Sequence, residues 1–248
     1  MVVLGEKCTI QCSVSYLYPQ AVPFIAGSIS KSAPLVSKLL IVPTQFELEC
    51  LSNSFREQIR RSDWQLELCG FGIVVSGLRT CELITQYSPK QVLLIGIAGT
   101  LSNRFLVGQA VEFDEVACFG IGAGSGDQFL SAHEMGWPQW PHSPEVSDCF
   151  SIRQPSVACL ANQTAKLLTC CSASATEQEV EMKLRKYPNA VAEDMEGFSV
   201  AAACRFADIP LTIVRGISNR AGDRNKENWR VREAMLAVEQ QVYRLLSL

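Results

Sequence analysis

Short apolar runs alternate with longer helix-like segments along most of this chain, and this alternation is the feature that most restricts its fold. The clearest runs are "KLLIVP" (38–43), "QVLLIGIAG" (91–99) and "LTIVRGI" (211–217). Apolar runs of this length, bounded by turn residues, are typical of strands buried on both faces of a sheet. The sequence therefore predicts an α/β fold, with one domain built on a central mixed, mainly parallel sheet flanked by helices.

The segments around these runs carry signals for further strands, helices and loops. Helices are predicted over about 46–60, 78–87, 176–186, 196–206 and from 228 to the C-terminus, and Thr176 and Glu179 have the spacing of a capping box. Strands are predicted at "QLELC" and "FGIVVSG" around a turn at Gly70, within 107–120, and at "VACLA" and "KLLTCC". Residues 121–156 are rich in Gly, Pro and Trp, which predicts a long loop or flap.

Residues 1–37 differ from the rest of the chain, because they are poor in charge and interrupted by prolines. A secretory signal needs a basic start and an unbroken apolar stretch, and Gln11, Ser13 and Ser15 interrupt the candidate. No apolar run approaches the roughly 20 residues needed to cross a bilayer. We therefore expect an N-terminal extension of unknown role over 1–37, a catalytic domain over 38–248, and no membrane partner.

The composition excludes several classes of function. A formal net charge of −3 argues against a nucleic-acid surface, which is normally basic. The 11 cysteines include no C-x-x-C pair, and several lie in apolar runs, which favours free thiols in the reducing cytoplasm over disulfides or zinc. The two histidines, His133 and His142, lack metal-ligand spacing. We expect a cytoplasmic protein without a metal or cofactor, and no His-dependent triad.

Polar or small residues follow four of the predicted strands at their carboxyl ends. Glu47 follows the first strand, Ala98 and Gly99 end the central one, Glu196 follows "AVAEDM", and Asn219 follows the last strand. In open α/β sheets, ligands bind beyond these strand ends. The convergence of four such ends favours a binding site at one edge of the sheet.

Each of these residues also has a purely structural interpretation. Glu47 lies three residues after Thr44 and could complete a capping box. Glu196 begins a predicted helix, whose dipole favours a carboxylate by roughly 0.3–1 kcal/mol. Asn219 could cap a helix or turn, and Arg215 could belong to a structural ion pair. The residues alone leave both interpretations open.

The segment "AEDMEGFSVAAACRFADIPLTIVRGISNRAGDR" resembles the nucleoside phosphorylase and nucleosidase superfamily, and "VLLIGIAGTL" with "VGQAVEFDEV" is similar to its central strands. The resemblance covers about residues 38–248. Within the superfamily, "VPTQFE", "EDMEG" and "SNRAGDR" look most like the futalosine hydrolases, and the methylthioadenosine/S-adenosylhomocysteine nucleosidases come next. The resemblance implies cleavage of a purine N-glycosidic bond and, by analogy with the nucleosidase branch, a homodimer.

The resemblance also implies roles for individual residues. Glu47 corresponds to the residue that activates water, Glu196 to the one that binds the ribose hydroxyls, and Met195 to a packing contact with the sugar. A carboxylate at the nucleophile position repels phosphate, and the sequence shows no Arg or Lys near Glu47, which together favour hydrolysis over phosphorolysis. The substrate-binding candidates are completed by Ala98 and Gly99 as the floor of the site, Trp229 near the base, and Arg215.

Asn219 departs from the nucleosidase pattern, in which the last strand ends in Ser-Asp and the Asp acts as the acid at purine N7. An amide cannot donate a full proton, but its NH2 group can donate to a 6-oxo group and its carbonyl can accept from a protonated N7. We therefore predict a 6-oxopurine such as hypoxanthine, which is the base of futalosine. The proton for N7 is left to water or to a neighbour such as Asp223.

Futalosine also carries a carboxylated aryl ketone on the 5′ side of the sugar, which calls for a cation. Arg79, Arg220 and Arg224 are candidates by position. The 121–150 segment, with Phe129, Trp137 and Trp140, could cover the aromatic tail, but for this segment and for the three arginines an ordinary surface loop is the favoured interpretation.

Three other functions remain open from the sequence. A methylthioadenosine/S-adenosylhomocysteine nucleosidase conflicts with Asn219, and a phosphorylase conflicts with Glu47. A catalytically weak purine-nucleoside binding protein would explain the loss of the Asp, but the intact Glu47 and Glu196 argue against it.

Overall fold

The computed structural model of the protein describes residues 38–140, 146–152 and 165–246. The strands are β1 (Lys38–Val42), β2 (Trp64–Leu68), β3 (Gln91–Thr100), β4 (Ala110–Phe113), β5 (Glu115–Phe119), β6 (Gly122–Ala123), β7 (Leu130–Ser131), β8 (Cys149–Ser151), β9 (Lys166–Cys170), β10 (Ala190–Asp194) and β11 (Leu211–Arg220). The helices are α1 (Gln45–Cys50), α2 (Asn53–Arg61), α3 (Ile73–Tyr87), α4 (Glu177–Lys186), α5 (Gly197–Phe206) and α6 (Val231–Leu246).

The described strands form one large mixed sheet and a separate β6–β7 hairpin. The main path of the large sheet runs β2-β1-β3-β10-β9-β5-β8, and β11 pairs with both β3 and β4. The pairs β1–β2, β1–β3, β3–β11, β9–β10 and β5–β9 are parallel, whereas β3–β10, β4–β11 and β5–β8 are antiparallel. The predicted α/β fold with a mainly parallel sheet is confirmed.

The sheet is buried on both faces, which explains why its strands are continuously apolar. In β1, Leu39 and Ile41 enter one hydrophobic cluster, while Leu40 and Val42 enter another. The second cluster includes residues of α6 such as Met235. Alternate residues of one strand therefore face different helical layers, and neither face has to be polar. No helix of the described segments has the length and apolarity that a membrane span requires.

The region around the start of α3 differs from the prediction. "FGIVVSG" is not a strand, because α3 begins after Gly72, which has a φ of +83°. The buried residues of α3 are Ser76, Thr80 and Leu83, so the helical repeat is carried largely by small polar side chains that apolar periodicity does not register. Val74 and Val75, which suggested a strand, are exposed.

The predicted helix at 46–60 is two helices, because α1 ends at Cys50 and α2 begins after its N-cap residue, Ser52. Its hydroxyl accepts from Phe55 N at 3.1 Å, which caps α2. The last helix begins at Val231 and not near 228, after a short 3₁₀ turn. Thr176 caps α4 as predicted, but the Glu179 side chain accepts from Ala175 N instead of closing a capping box.

The predicted loop over 121–156 contains the small β6–β7 hairpin and β8, and its other described residues are irregular. The predicted strand "VACLA" and the extension over 1–37 lie outside the described residues.

Candidate active site

One large cavity lies at the carboxyl ends of β1, β3, β10 and β11. Its volume is about 1160 Å³, and the segment after β9 and the segment before α6 complete its wall. Eight of the ten predicted site residues line it, namely Glu47, Ala98, Gly99, Met195, Glu196, Asn219, Arg224 and Trp229. We call it the central cavity. The prediction that these strand ends converge is therefore confirmed, whereas Arg215 and Phe129 are not part of the lining.

Glu47 is both a helix cap and a cavity residue. Its Oε2 accepts from Thr44 N at 3.1 Å and from Thr44 Oγ1 at 2.6 Å, which completes the capping box of α1. Its Oε1 accepts from Ile97 N at 3.0 Å, which ties α1 to β3. These bonds fix the carboxylate in one orientation at the cavity wall, so the capping interpretation is confirmed and the functional one stays a prediction.

Arg215 lies behind the cavity wall and organises the carboxylates there. Its side chain is fully buried, and its Nε and Nη2 donate to Asp194 Oδ2 at 3.1 and 2.6 Å. Nη2 also lies 3.5 Å from Glu196 Oε2. Burial alone lowers the pKa of Arg215, but the charges of Asp194, Glu196 and Glu47 hold it above its ordinary value. The prediction that Arg215 contacts substrate gives way to a supporting role, as in the ion-pair alternative.

Asp194 also fixes the start of α5. Its Oδ2 accepts from Gly197 N at 2.8 Å, and its Oδ1 accepts from Thr169 Oγ1 at 2.6 Å. Thr169 Oγ1 in turn accepts from Phe198 N at 2.8 Å. The helix therefore begins immediately after Glu196, and this arrangement aims the Glu196 carboxylate at the cavity.

Glu196 is a buried carboxylate with few stabilising partners. Its Oε1 accepts from Gly72 N at 3.0 Å, and its side chain makes no cap bond to α5. Burial is the main cause that raises its pKa to about 7, with Asp194 and Glu47 adding to the rise and Arg215 opposing it. Such a carboxylate has acceptor capacity left for substrate hydroxyls.

Gly96 allows Arg215 and Glu47 to approach each other. The two strands place Gly96 directly across from Arg215, and a Cβ on Gly96 would overlap Arg215 Nη1 and lie 2.7 Å from Glu47 Oε1. The sequence-based expectation that no Arg or Lys lies near Glu47 is therefore wrong. The sequence separates these residues by more than 160 positions, and only the pairing of β3 with β11 brings them together.

Asn219 lies just after a β-bulge in β11. Ile217 pairs with Ala98 and Asn219 with Gly99, so Ser218 is the extra residue. Bulges of this kind often re-aim side chains beside active sites. Ser218 Oγ donates to Asn219 Oδ1 at 2.7 Å, and Asn219 Nδ2 donates to Arg220 O at 2.9 Å. With the amide oriented in this way, the oxygen and the NH2 group of Asn219 each have one hydrogen-bond partner. Each group can form one further hydrogen bond.

Asp223 is poorly suited to supply the proton for N7. Its carboxylate accepts from Asn228 Nδ2 at 2.8 Å and from Asn225 N at 2.9 Å. These two hydrogen bonds lower its pKa, Asn228 contributing most, and the residue does not line the cavity. Of the two proton sources left open by the sequence, water is the better one.

The mouth of the cavity is lined by cations and exposed aromatic rings. Four basic residues line it, three between β11 and α6 and one in the first turn of α6, namely Arg224, Lys226, Arg230 and Arg232. Arg224 lies over the ring of Trp229 at 5.8 Å. Phe46 and Phe71 are 57% and 63% exposed and line the same cavity, which leaves large apolar surfaces for a ligand. Apart from Arg224, sequence reasoning missed these cations, although their density in "RNKENWRVR" was a usable signal.

The other candidates for the 5′ side of a substrate lie elsewhere. Arg79 pairs with Glu82 at 2.7 Å and lies 3.6 Å from Glu67, and Arg220 pairs with Glu177 at 3.3 Å. Neither arginine lines the cavity. Phe129 is buried and packs on Phe119 with ring centroids 5.0 Å apart, so it belongs to the core beneath the 121–136 segment.

Comparison with known proteins identifies the family. Residues 66–248 match the model of the phosphorylase superfamily. The chain belongs to the phosphorylase superfamily. Among curated relatives, futalosine hydrolase from Streptomyces coelicolor is 30% identical over 158 residues, which are 62% of this chain and 64% of the relative. A 5′-methylthioadenosine/S-adenosylhomocysteine nucleosidase from Shewanella sediminis is 26% identical over 171 residues, which are 67% of this chain and 72% of the relative. The chain thus spans just under two thirds of the first of these.

Solved structures of the superfamily share the fold. Futalosine hydrolase of Helicobacter pylori matches with a TM-score of 0.67 at 16% identity, covering 87% of this chain and 99% of that one. A 5′-methylthioadenosine/S-adenosylhomocysteine nucleosidase from Colwellia psychrerythraea, in complex with adenine, matches with a TM-score of 0.67 at 20% identity, covering 85% and 95%. At these identities the agreement concerns the fold.

The sequence also predicts free cysteines and no metal site. The eight cysteines within the described ranges are free thiols, and they include Cys171 at the cavity wall. Across those ranges no cluster of three or more His, Cys, Asp or Glu side chains has the arrangement of a metal site.

Proposed function

We propose that this protein hydrolyses the N-glycosidic bond of a 6-oxopurine nucleoside, with futalosine as the substrate and hypoxanthine and dehypoxanthine futalosine as the products. This reaction belongs to menaquinone biosynthesis. The observation that carries the proposal is the meeting of Glu47, Glu196 and Asn219 in one cavity. The relatives named futalosine hydrolase support it, since the chain shares 30% identity with two of them.

The chemistry follows from the three side chains. As the bond from C1′ to purine N9 breaks, its electron pair leaves with the base and the sugar becomes oxocarbenium-like. Glu47 accepts a proton from a water molecule whose oxygen bonds to C1′. The ionised Glu196 accepts from the vicinal ribose hydroxyls and stabilises the positive charge on the ring. The departing base takes its proton from a second water molecule, because Asn219 cannot release one and Asp223 is held as a carboxylate. The hydroxide left behind takes the proton that Glu47 accepted, which restores the water and the Glu47 carboxylate.

The geometry of Asn219 supports a 6-oxopurine. Ser218 Oγ donates to its carbonyl, and this bond keeps the NH2 end pointing away from Ser218. One N–H is bonded to Arg220 O, and the other is available to a 6-oxo oxygen. A 6-amino group would face this N–H with like polarity. Mismatched polar groups of this kind reject the wrong substrate strongly.

The mouth of the cavity supports a large anionic 5′ substituent. The volume of about 1160 Å³ is more than a nucleoside needs, and Lys226, Arg230 and Arg232 line the side near α6. Phe46 and Phe71 offer apolar surface beside these cations. An aryl carboxylate would use both features, whereas a methylthio group would use neither the cations nor the volume.

Hydrolysis is favoured over phosphorolysis, even though a cation lies near Glu47. Arg215 does lie near Glu47, but it is buried and its charge is matched by Asp194. Glu47 itself still places a negative charge where a phosphate nucleophile would have to bind.

We also propose a cytoplasmic homodimer. The eight free thiols suit a reducing compartment. Phe71, Val74, Val75 and Leu78 at the start of α3 are between 53% and 70% exposed. This set is larger than the scattered apolar residues of ordinary surfaces and adjoins the cavity mouth, which suits an interface with a second copy.

One assay tests the proposed reaction. Purified protein is incubated with futalosine, methylthioadenosine and inosine, each with and without phosphate, and the free base is measured. Release of hypoxanthine from futalosine without phosphate is the expected result. Release from methylthioadenosine alone would assign the nucleosidase function, phosphate-dependent release a phosphorylase, and no release from any substrate a binding protein.

A further inference from the structure

A buried cluster at the cavity wall has no part in the reaction described above, although two of its three residues, Ser174 and Glu193, line the cavity. It consists of Lys183 on α4, Glu193 on β10 and Ser174 in the segment after β9, and the three residues are 4%, 4% and 3% exposed. A buried ion pair in this place is costly unless every charge is matched by well-placed hydrogen bonds.

All but one of the hydrogen bonds within the cluster engage Ser172 or Ser174, in the segment 171–175. Lys183 Nζ donates to Glu193 Oε2 at 2.8 Å, to Ser174 Oγ at 2.9 Å and to Ser172 O at 3.0 Å, so its three N–H groups are used. Glu193 Oε1 accepts from Ser174 N at 2.7 Å, and its Oε2 accepts from Ser174 Oγ at 2.7 Å. The ion pair therefore holds this segment through the backbone at Ser172 and Ser174 and through the Ser174 side chain.

Residues 171–175 form the wall of the central cavity on the side of Asn219. All five line the cavity. Ser174 O accepts from Gly222 N at 3.3 Å, which joins the segment to the chain three residues beyond Asn219. The Cα of Gly222 also approaches Thr176 so closely that a Cβ there would lie 3.0 Å from its carbonyl. The segment thus faces the part of the cavity assigned to the purine base, while Glu196 and Met195 mark the sugar.

We propose that Lys183 and Glu193 are positioning residues that hold the 171–175 segment against the base and thereby set the affinity of the cavity for the purine. This inference rests on the function proposed above. Neither side chain contacts the base in this account, and both act through the backbone at Ser172 and Ser174. The ion pair also joins α4 to β10, so it connects the helix that follows the 171–175 segment to the strand that leads into Glu196.

The test separates positioning from general stability. Lys183→Met leaves Glu193 buried without its partner, so both the stability and the base affinity should fall. Lys183→Met combined with Glu193→Met removes both charges and should recover much of the melting temperature. The double variant still lacks the acceptor for Ser174 N and Oγ, so its segment stays released. Lys186→Met on the same helix removes a surface ion pair with Glu134 and serves as the matched control.

The readouts are the Kd for free hypoxanthine by calorimetry, the KM and kcat with futalosine, and the melting temperature. We expect the double variant to bind hypoxanthine at least about tenfold more weakly, with KM raised more than kcat is lowered. Glu193→Gln keeps an acceptor for Ser174 N and should give an intermediate affinity. Lys186→Met should match the wild type in all three readouts.

Two failures can be told apart. If the wild type releases hypoxanthine and binds it, but a folded double variant and Glu193→Gln bind it equally tightly, the positioning role is wrong and the proposed function stands. If the wild type neither releases nor binds the base, the proposed function fails and this inference fails with it.

Discussion

Arg215 and Asp194 form a buried ion pair at the cavity wall, with Nη2 2.6 Å from Oδ2. Asp194 also caps α5 through Gly197 N, and Arg215 extends to within 3.5 Å of Glu196. The pair therefore links the strand that carries Asn219 to the helix start that carries Glu196. Several properties of the site follow from this arrangement.

Gly96→Ala should disrupt this arrangement. The added Cβ would overlap Arg215 Nη1, which has no room to withdraw because the side chain is fully buried. We expect a loss of about 1–3 kcal/mol in the free energy of unfolding, together with loss of turnover. Gly99→Ala on the same strand is the control, since its Cβ meets neighbours only at ordinary contact distances of 3.4–3.6 Å. Denaturant unfolding of both variants checks this, and equal stabilities would contradict it.

Glu196→Gln should alter how stability depends on pH. The raised pKa of about 7 means that between pH 4.5 and 7 the folded protein retains a proton that the unfolded chain has released. The free energy of unfolding therefore falls as pH rises through this window. A glutamine cannot ionise, so the variant should lose this fall and gain up to about 3 kcal/mol on the wild type between pH 5 and pH 8. It should also lose turnover, because the ionised carboxylate holds the ribose.

Urea unfolding at several pH values measures this difference. The exposed Glu181→Gln is the control, and its stability should follow the wild type throughout. A constant difference between Glu196→Gln and the wild type would show that burial does not raise this pKa.

Glu47→Gln should abolish turnover without unfolding the protein. Glutamine keeps an oxygen acceptor for Ile97 N or Thr44, so α1 remains largely capped, but it cannot take a proton from water. We expect kcat to fall by about 10²–10⁴-fold. Glu49→Gln, on the same helix and exposed, should retain full activity. Base release and circular dichroism of the two variants decide the point, and an active, folded Glu47→Gln would leave Glu47 as a cap alone.

Asn219→Asp should shift the base preference. A carboxylate cannot donate to a 6-oxo oxygen, and near Arg220 O it would place acceptor against acceptor. We expect kcat/KM for futalosine to fall at least about tenfold and activity on a 6-aminopurine nucleoside to rise. The exposed Asn189→Asp makes the same change in charge outside the cavity. The ratio of kcat/KM for the two base types is the measurement, and an unchanged ratio would remove Asn219 from base selection.

Lys226→Met with Arg232→Met should weaken binding of the 5′ carboxylate. KM for futalosine should rise about tenfold or more, while KM for inosine, which lacks the carboxylate, should change little. High salt should raise KM for futalosine in the wild type and much less in the variant. Arg185→Met removes an exposed cation that pairs with Asp127 and should leave both KM values unchanged. A similar rise for both nucleosides would show that these cations do not read the substituent.

Part of the site was accessible from the sequence because it follows directly from strand ends. A parallel sheet gathers the carboxyl ends of its strands at one edge, so Glu47, Gly99, Glu196 and Asn219 could be assigned to one place before their contacts were known. Chemical type then suggested their roles. The cations around the start of α6 could have been assigned to the same edge, because they follow the end of β11. A run of charged residues, however, is more often part of a solvated surface.

The errors have a common physical origin in contacts between distant segments. The sequence near Glu47 contains no cation because Arg215 lies on β11, and the sequence around Asp223 does not reveal that Asn225 and Asn228 hold its carboxylate. The sequence at the start of α3 favours a strand because Val74 and Val75 are β-branched. Their exposure depends on which surface of the helix the sheet covers.

The sequence by itself determined the α/β fold, the doubly buried strands and the edge of the sheet where the site lies, because apolar periodicity and strand ends are local properties of the chain. Only the tertiary structure decided the pairing of Arg215 with Asp194, the bulge at Ser218 that aims Asn219, and the Lys183–Glu193 cluster that grips the 171–175 segment. Each of these joins elements far apart in sequence, and burial of charge becomes favourable only where such elements supply all the partners at once.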